Sequence, residues 1–236
     1  MSKKIQGFGF CCRDRCFDPD PTVAYGASEM MNVWLERGFI DCAVVVCEGA
    51  GTVLTPNGRL VQSIGARLTG IIRTSPILET IEHVEHCGGV VLDKTDARID
   101  QVEGVRRAFT LGFRHIAVSV AGFQARAISG IRNFEQTSNA DVLVFSVCNT
   151  RVRKEDVRHV AKADVVCASA STILRKEIGR DALLQVGVSI PVYALTQKGK
   201  DVVLAYLSVF KDKLVAFKKA RLPYEVRGLG PKLKNS

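Results

Sequence analysis

Short apolar runs along this chain alternate with longer segments in which apolar residues recur every three or four positions. Ile40-Asp-Cys-Ala-Val-Val-Val-Cys47 is continuous, β-branched and followed by Glu48-Gly-Ala-Gly51, which predicts a buried strand ending in a turn. Runs of the same kind lie at 90–92, 115–120, 141–148, 164–168 and 191–195. Their apolar positions do not alternate with polar ones, as expected where helices cover both faces of a sheet. Helical spacing fills the gaps. Residues 24–37 place Met30, Met31, Trp34 and Leu35 toward one face, with Gly38 as a stop. A second helix opens at Ser75-Pro76 and runs to Cys87, and a third starts at the capping-box-like Asp100-Gln-Val-Glu103. Further helices are predicted at 125–135, 154–163, 172–178 and 199–219. This order predicts an α/β fold: a Rossmann-like, doubly wound, mostly parallel sheet with helices on both faces and right-handed crossovers.

The pattern divides the chain into a Cys-rich N-terminal segment (1–20), an α/β domain (21–220) and a basic C-terminal tail (221–236). Asp41-Cys-Ala-Val-Val-Val-Cys47, Asp141-Val-Leu-Val-Phe-Ser-Val-Cys148 and Asp164-Val-Val-Cys167 share one grammar: an acidic residue, an apolar strand, then a thiol. The echo either records two βα halves meeting near 136–139 or is the common grammar of parallel strands. With 236 residues, 47% hydrophobic and 24% charged, the composition is that of a soluble globular protein with a sizeable core. No apolar run approaches the roughly 18 residues that span a bilayer, and the first residues lack the apolar stretch of a secretory signal. The expectation is a cytoplasmic protein without a membrane partner. The net charge of +9 is concentrated after Lys211. Such a tail can dock on an acidic protein partner. Four Tyr and one Trp, not interleaved with basic residues, argue against specific nucleic-acid binding.

Three segments carry a family resemblance. Asp41-Cys-Ala-Val-Val-Val-Cys-Glu-Gly-Ala-Gly-Thr-Val53, Ile99-Asp-Gln-Val-Glu-Gly-Val-Arg-Arg-Ala108 and Ala182-Leu-Leu-Gln-Val-Gly187 resemble the methanogenesis marker protein 8 family, a domain of unknown function associated with methane-metabolising archaea. The resemblance covers most of residues 7–200. It implies a link to methanogenesis, or to maturation of one of its enzymes or cofactors, and transfers no catalytic residue. This chain departs from the family pattern in its shorter N-terminal segment.

Candidate chemistry centres on eight cysteines, which a reducing cytoplasm keeps as thiols or metal ligands. Cys12-x-x-x-Cys16 can join Cys47 and Cys148 as four thiolates for zinc or an iron–sulfur cluster, if the N-terminal loop folds over the carboxyl edge of the sheet. Arg13 and Arg15 would then balance charge. No CxxC pair occurs, and ordinary buried cysteines are the competing reading. A small anionic ligand is the other candidate. Gly49, Gly51 and Thr52 can bring backbone N–H groups to an anion or simply make a turn. Ser169, Ser171 and Thr172 can bind an anion or cap a helix, with capping favoured. Asp93, Asp96 and Asp100 read as a solvated loop ending in an N-cap, and His83, His86 and Cys87 as polar positions of a helix. No GxSxG elbow or P-loop is present. Three functions stay open. The protein binds a metal centre or small anion while assisting maturation of a C1-metabolism enzyme or cofactor. Alternatively it is a metal-free enzyme with Cys47 or Cys148 as nucleophile, or a non-catalytic protein that docks through its tail.

Overall fold

A computed structural model describes residues 7–20, 23–65, 70–219 and 221–226. The chain runs α1 (Ala27–Glu36), β1 (Cys42–Cys47), β2 (Gly51–Thr55), α2 (Gly58–Gly65), α3 (Leu78–His86), β3 (Val90–Val91), α4 (Gln101–Thr110) and β4 (His115–Ala121). It continues through α5 (Arg126–Thr137), β5 (Asp141–Val147), α6 (Val157–Val160), β6 (Val165–Cys167), α7 (Thr172–Glu177), β7 (Leu184–Val186), β8 (Val192–Ala194) and α8 (Gln197–Leu207). The strands make one eight-stranded sheet in the order β3-β2-β1-β4-β5-β6-β8-β7. β1, β4, β5 and β6 are parallel neighbours, whereas β2 and β3 at one end and β8 and β7 at the other pair antiparallel.

The sheet is therefore mixed, where a mostly parallel, doubly wound one was expected. Glycine explains the first reversal. Gly49 and Gly51 have φ of +81° and +74°, so the chain after β1 turns back at once and pairs Cys47 with Gly51 in a hairpin. β2 escapes the apolar-run criterion because Thr52 and Thr55 are fully buried. Their hydroxyls are satisfied: Thr52 Oγ1 donates to Gln101 Oε1 at 2.8 Å, and Thr55 Oγ1 accepts from the Asn57 amide at 3.0 Å. α2 and β7 were likewise not anticipated. The helix expected over 199–219 closes at Leu207. Part of the basic tail lies against the sheet edge, where the Tyr224 backbone exchanges two 2.8 Å hydrogen bonds with the Gln185 side chain of β7.

Strand alternation sorts the core into two layers. Ala43, Val45, Leu143 and Phe145 face α1, α2, α3 and α8, and Val44, Ile116, Val142 and Val144 face α4, α5, α6 and α7. The recurring aspartates sit where the parallel strands begin. Asp41 accepts from the amides of Arg114 and His115 at 2.9 and 3.2 Å. Asp141 pairs with Lys198. Asp164 accepts from the Val144 amide and Thr196 Oγ1, each at 2.7 Å, and from Arg132 at 2.5 Å.

The Cys-rich segment does fold over the end of β1, and Arg15 holds it there. Its guanidinium forms a two-pronged pair with Glu48, both side chains being inaccessible to solvent. It also reaches the Ile64 carbonyl at the end of α2 (3.4 Å) and lies 3.9 Å from the Phe17 ring centroid. Phe17 in turn stacks on His83 at 4.0 Å. Replacing Arg15 by Met leaves Glu48 buried and unpaired, so unfolding free energy should fall by about 3–5 kcal/mol. The Arg15→Met/Glu48→Gln pair should recover much of that loss. Urea unfolding of the three proteins checks this, and an unchanged Arg15→Met midpoint would show that the pair does not anchor the segment.

Candidate functional site at the carboxyl edge

The carboxyl ends of β1, β4, β5 and β6 open onto a cavity of about 620 Å³ on the α1 side of the sheet. Strand-end ligand sites in α/β sheets lie at this edge. Ser119, Val147 and Cys167 form part of its floor, the first turn of α1 one wall, and the β7–β8 turn with Ser189 another. Most of the lining is aliphatic, so the few polar groups stand out.

Glu29 is one of them. It is 4% exposed and occupies the third helical position of α1. Its carboxylate accepts from Ser28 Oγ (2.9 Å), Gln62 Nε2 (3.2 Å) and the Val23 amide (3.4 Å). Among the described residues no cation pairs with it. Neutral donors and the positive end of the helix dipole thus hold this charge in place.

Cys148 and Cys167 are two more. Ser146 pairs with Val166, so Cys167 lies beside the end of β5 and Cys148 follows one residue past it. Cys148 is left-handed, with φ 54° and ψ 42°, and starts a short 3-10 turn. Ser169, just past β6, is also left-handed at φ 51°. Such conformations cost a non-glycine residue on the order of 1 kcal/mol or more and cluster at functional sites. Asn149 enforces both. Its amide donates to Ser169 Oγ at 3.2 Å, its Nδ2 to the Cys167 carbonyl at 2.9 Å, and its Oδ1 accepts from Ser146 Oγ at 3.1 Å. Gly122 leaves room for this bracket, since a Cβ there would overlap Asn149 Oδ1. Burial pushes the Cys167 thiol up to about 12, and the neighbouring Cys148 and Glu29 add to the rise.

The four expected metal ligands are not brought together. Cys12 is half-buried and Cys16 exposed on the N-terminal segment, Cys47 lies fully in the core, and Cys148 borders the cavity. Among the described residues no group of three or more His, Cys, Asp or Glu is arranged to hold a metal ion. At the end of β1 the space beside Cys47 and Glu48 is taken by the Arg15 guanidinium rather than by a thiolate.

The expected anion cradle at Gly49, Gly51 and Thr52 is the β1–β2 hairpin, and its amides are used inside the fold. Gly49 donates to Thr74 Oγ1 at 2.8 Å and Thr52 to the Arg98 carbonyl at 3.0 Å. A Cβ on Gly51 would overlap the Ala97 carbonyl. Ser171 caps α7 by accepting from the Leu174 amide at 3.3 Å, as favoured, and Ser169 braces Asn149. Thr172 lies in the first turn of α7. Asp100 caps α4 through the Glu103 amide at 3.0 Å, with Arg98 bridging Asp93 and Asp100. His83 contacts Cys87 Sγ at 3.6 Å. Glu29 and Ser119 went unnoticed in the sequence. Nothing marks Glu29 there beyond its place early in a helix, whereas the strand-end position of Cys167 was visible.

Fold and site define an α/β protein with a mixed sheet and a half-open, small-molecule-sized cavity at its parallel strand ends. The chain belongs to the family described as "Uncharacterized protein conserved in archaea" (DUF2099), which matches residues 1–208. It is 40% identical over 204 residues to "Uncharacterized protein MJ0054" of Methanocaldococcus jannaschii, a match spanning 85% of this chain and 70% of the relative. A chain of the F420-reducing [NiFe] hydrogenase complex from Methanosarcina barkeri overlaps 51% of this chain at 15% identity, with a TM-score of 0.31, and the overlap spans 35% of that hydrogenase chain.

Burial raises Cys42, Cys47 and Cys167 from 9.0 to about 12. In the unfolded chain these thiols ionise near their ordinary value, and in the folded chain they stay protonated. Their contribution is therefore intact below about pH 9 and lost as pH rises toward about 12. Urea midpoints should hold steady at neutral pH and fall across that window. Thiol alkylation at neutral pH should modify Cys16 well before Cys42 and Cys47. Rapid labelling of Cys47 in the folded chain would refute the burial described.

Proposed function

We propose that this protein binds a small, largely apolar organic molecule in the carboxyl-edge cavity, with Glu29 receiving its one polar or cationic group and Cys148 beside its reactive end. The observation that carries this reading is a carboxylate and two thiols set into aliphatic walls at the ends of parallel strands. Cavities of about 300–1,000 Å³ with few, placed polar groups are the usual form of small-molecule sites. Among the described residues the donors bordering the cavity are not grouped for a metal, and they fit an organic ligand better than zinc or an iron–sulfur cluster. The backbone strain at Cys148 and Ser169 favours thiol chemistry on that ligand over passive storage. The sequence resemblance to the methanogenesis marker protein 8 family extends the proposal: the ligand belongs to C1 metabolism, and the protein assists maturation of one of its enzymes or cofactors.

Ser119→Phe places a ring in the cavity from the floor strand. Native mass spectrometry after incubation with an archaeal small-molecule extract should show a bound mass on the wild-type chain and its loss from Ser119→Phe, with circular dichroism unchanged. Cys148→Ser should keep the non-covalent mass. Equal occupancy in wild type and Ser119→Phe would remove the cavity as the site.

A further inference from the structure

Six charged residues are buried among those described: Arg15, Glu29, Glu48, Asp156, Asp164 and Arg175. Arg15 pairs with Glu48, Asp156 with Arg153 and Asp164 with Arg132. Glu29 is held by neutral donors at the cavity. Arg175 differs from all of these. It is 5% exposed, no carboxylate of a described residue lies within ion-pair distance, and its Nε meets no acceptor. Among the described residues its guanidinium makes one hydrogen bond, from Nη2 to the Ser189 carbonyl at 2.5 Å. A buried guanidinium without a counter-charge is costly, and in folded proteins such groups are paired.

Two more polar atoms near it lack partners. The Tyr193 hydroxyl is fully buried and orphaned, and so is the Thr172 hydroxyl oxygen. Thr172, Arg175 and Gly179 fall at i, i+3 and i+7, on one stripe of α7 and the turn after it. The Tyr193 ring ends on that stripe, because a Cβ on Gly179 would lie 2.9 Å from the Tyr193 hydroxyl. Burial raises that hydroxyl to about 12, Arg175 pulls it down and the exposed Glu225 pushes it up, so it remains a proton donor at neutral pH. One guanidinium N–H and two hydroxyl donors thus share one stripe beneath the sheet, with no acceptor supplied.

We propose that Arg175, with the hydroxyls of Tyr193 and Thr172, forms a binding site for a small oxyanion, the phosphate or carboxylate group of a ligand. The anion supplies the missing counter-charge and accepts from all three donors. The site rests on the charge inventory and stands whether or not the neighbouring cavity binds an organic molecule.

The test is thermal unfolding of the full chain in inorganic phosphate, in acetate and in chloride at matched ionic strength. Wild type should show a saturable rise of the midpoint in phosphate or acetate over chloride. A response to phosphate alone assigns a phosphate group, and one to acetate alone a carboxylate. Arg175→Met should abolish the response. Tyr193→Phe, which removes one hydroxyl and preserves packing, should raise the half-saturating concentration roughly tenfold, as expected for one hydrogen bond to a charged group. The proposal is overturned by a wild-type midpoint indifferent to both anions. It is equally overturned by a response unchanged in Tyr193→Phe. A Glu225→Gln midpoint in chloride as low as that of Arg175→Met would also overturn it, because Glu225 would then be the internal counter-ion.

Discussion

Four parallel strands cannot be joined by tight turns, so β1, β4, β5 and β6 all begin at one edge of the sheet and all end at the other. That asymmetry decides where everything else goes. Where these strands begin, Asp41 accepts from the Arg114 amide just before β4, and Asp164 from the Val144 amide within β5. Carboxylates there hold the strands in register. Towards the opposite edge side-chain amides bridge the strands, and Gln101 Nε2 donates to the Val44 carbonyl of β1 and the Ser119 carbonyl of β4. Asn149 ties the ends of β5 and β6 together, and it does so by holding two residues in left-handed conformations. Local strain at that edge is sustained because the amino edge and both helical layers fix the strands.

Buried charges occur at both edges. A buried pair such as Arg15 with Glu48 adds little over an apolar replacement, but losing one partner is expensive, which makes it a strict constraint on where the N-terminal segment sits. Buried carboxylates paired with an arginine stand at structural joints: the end of β1, the start of β6, and the turn before α6, where the arginine itself is exposed. Glu29 and Arg175, at the carboxyl edge, are the two buried charges without an ionic partner among the described residues. Stability alone would have removed or paired them. The end of β1 and the turn before α6 also lie on that side of the sheet, so what separates Glu29 and Arg175 from the structural charges is the missing ionic partner rather than the edge.

Much of this was legible in the sequence, and the failures have physical causes. β1, β4, β5, β6 and β8 were readable because both of their faces are covered and their runs are continuous. Helices on both faces followed from the same pattern. β2 was not readable because a strand with Thr at two of five fully buried positions needs Gln101 and Asn57 to supply hydrogen bonds, and those partners are remote or lie past the turn. The Glu48-Gly-Ala-Gly-Thr52 segment has the composition of a ligand loop, but composition does not reveal that Gly49 and Gly51 reverse the chain. Cysteines at strand ends were visible as a class. Strand parity does not separate them, because Cys47 and Cys167 face the same helical layer: Cys47 is packed over completely, while Cys167, with Cys148 just past β5, borders the cavity. Glu29 and Arg175 carried no signal, because a buried charge is defined by what fails to surround it.

Ser189 joins the two halves of the carboxyl-edge argument. It lines the cavity, while its carbonyl receives the Arg175 guanidinium. The β7–β8 turn is thus a wall of the cavity on one side and the acceptor for an otherwise unpaired cation on the other. A charge-assisted hydrogen bond of this kind is stronger than a neutral one, so the position of the turn depends on where the guanidinium rests. Whatever fixes Arg175 also fixes that wall. Shape at the cavity and charge balance behind it are therefore one problem in this fold, solved at a single backbone carbonyl.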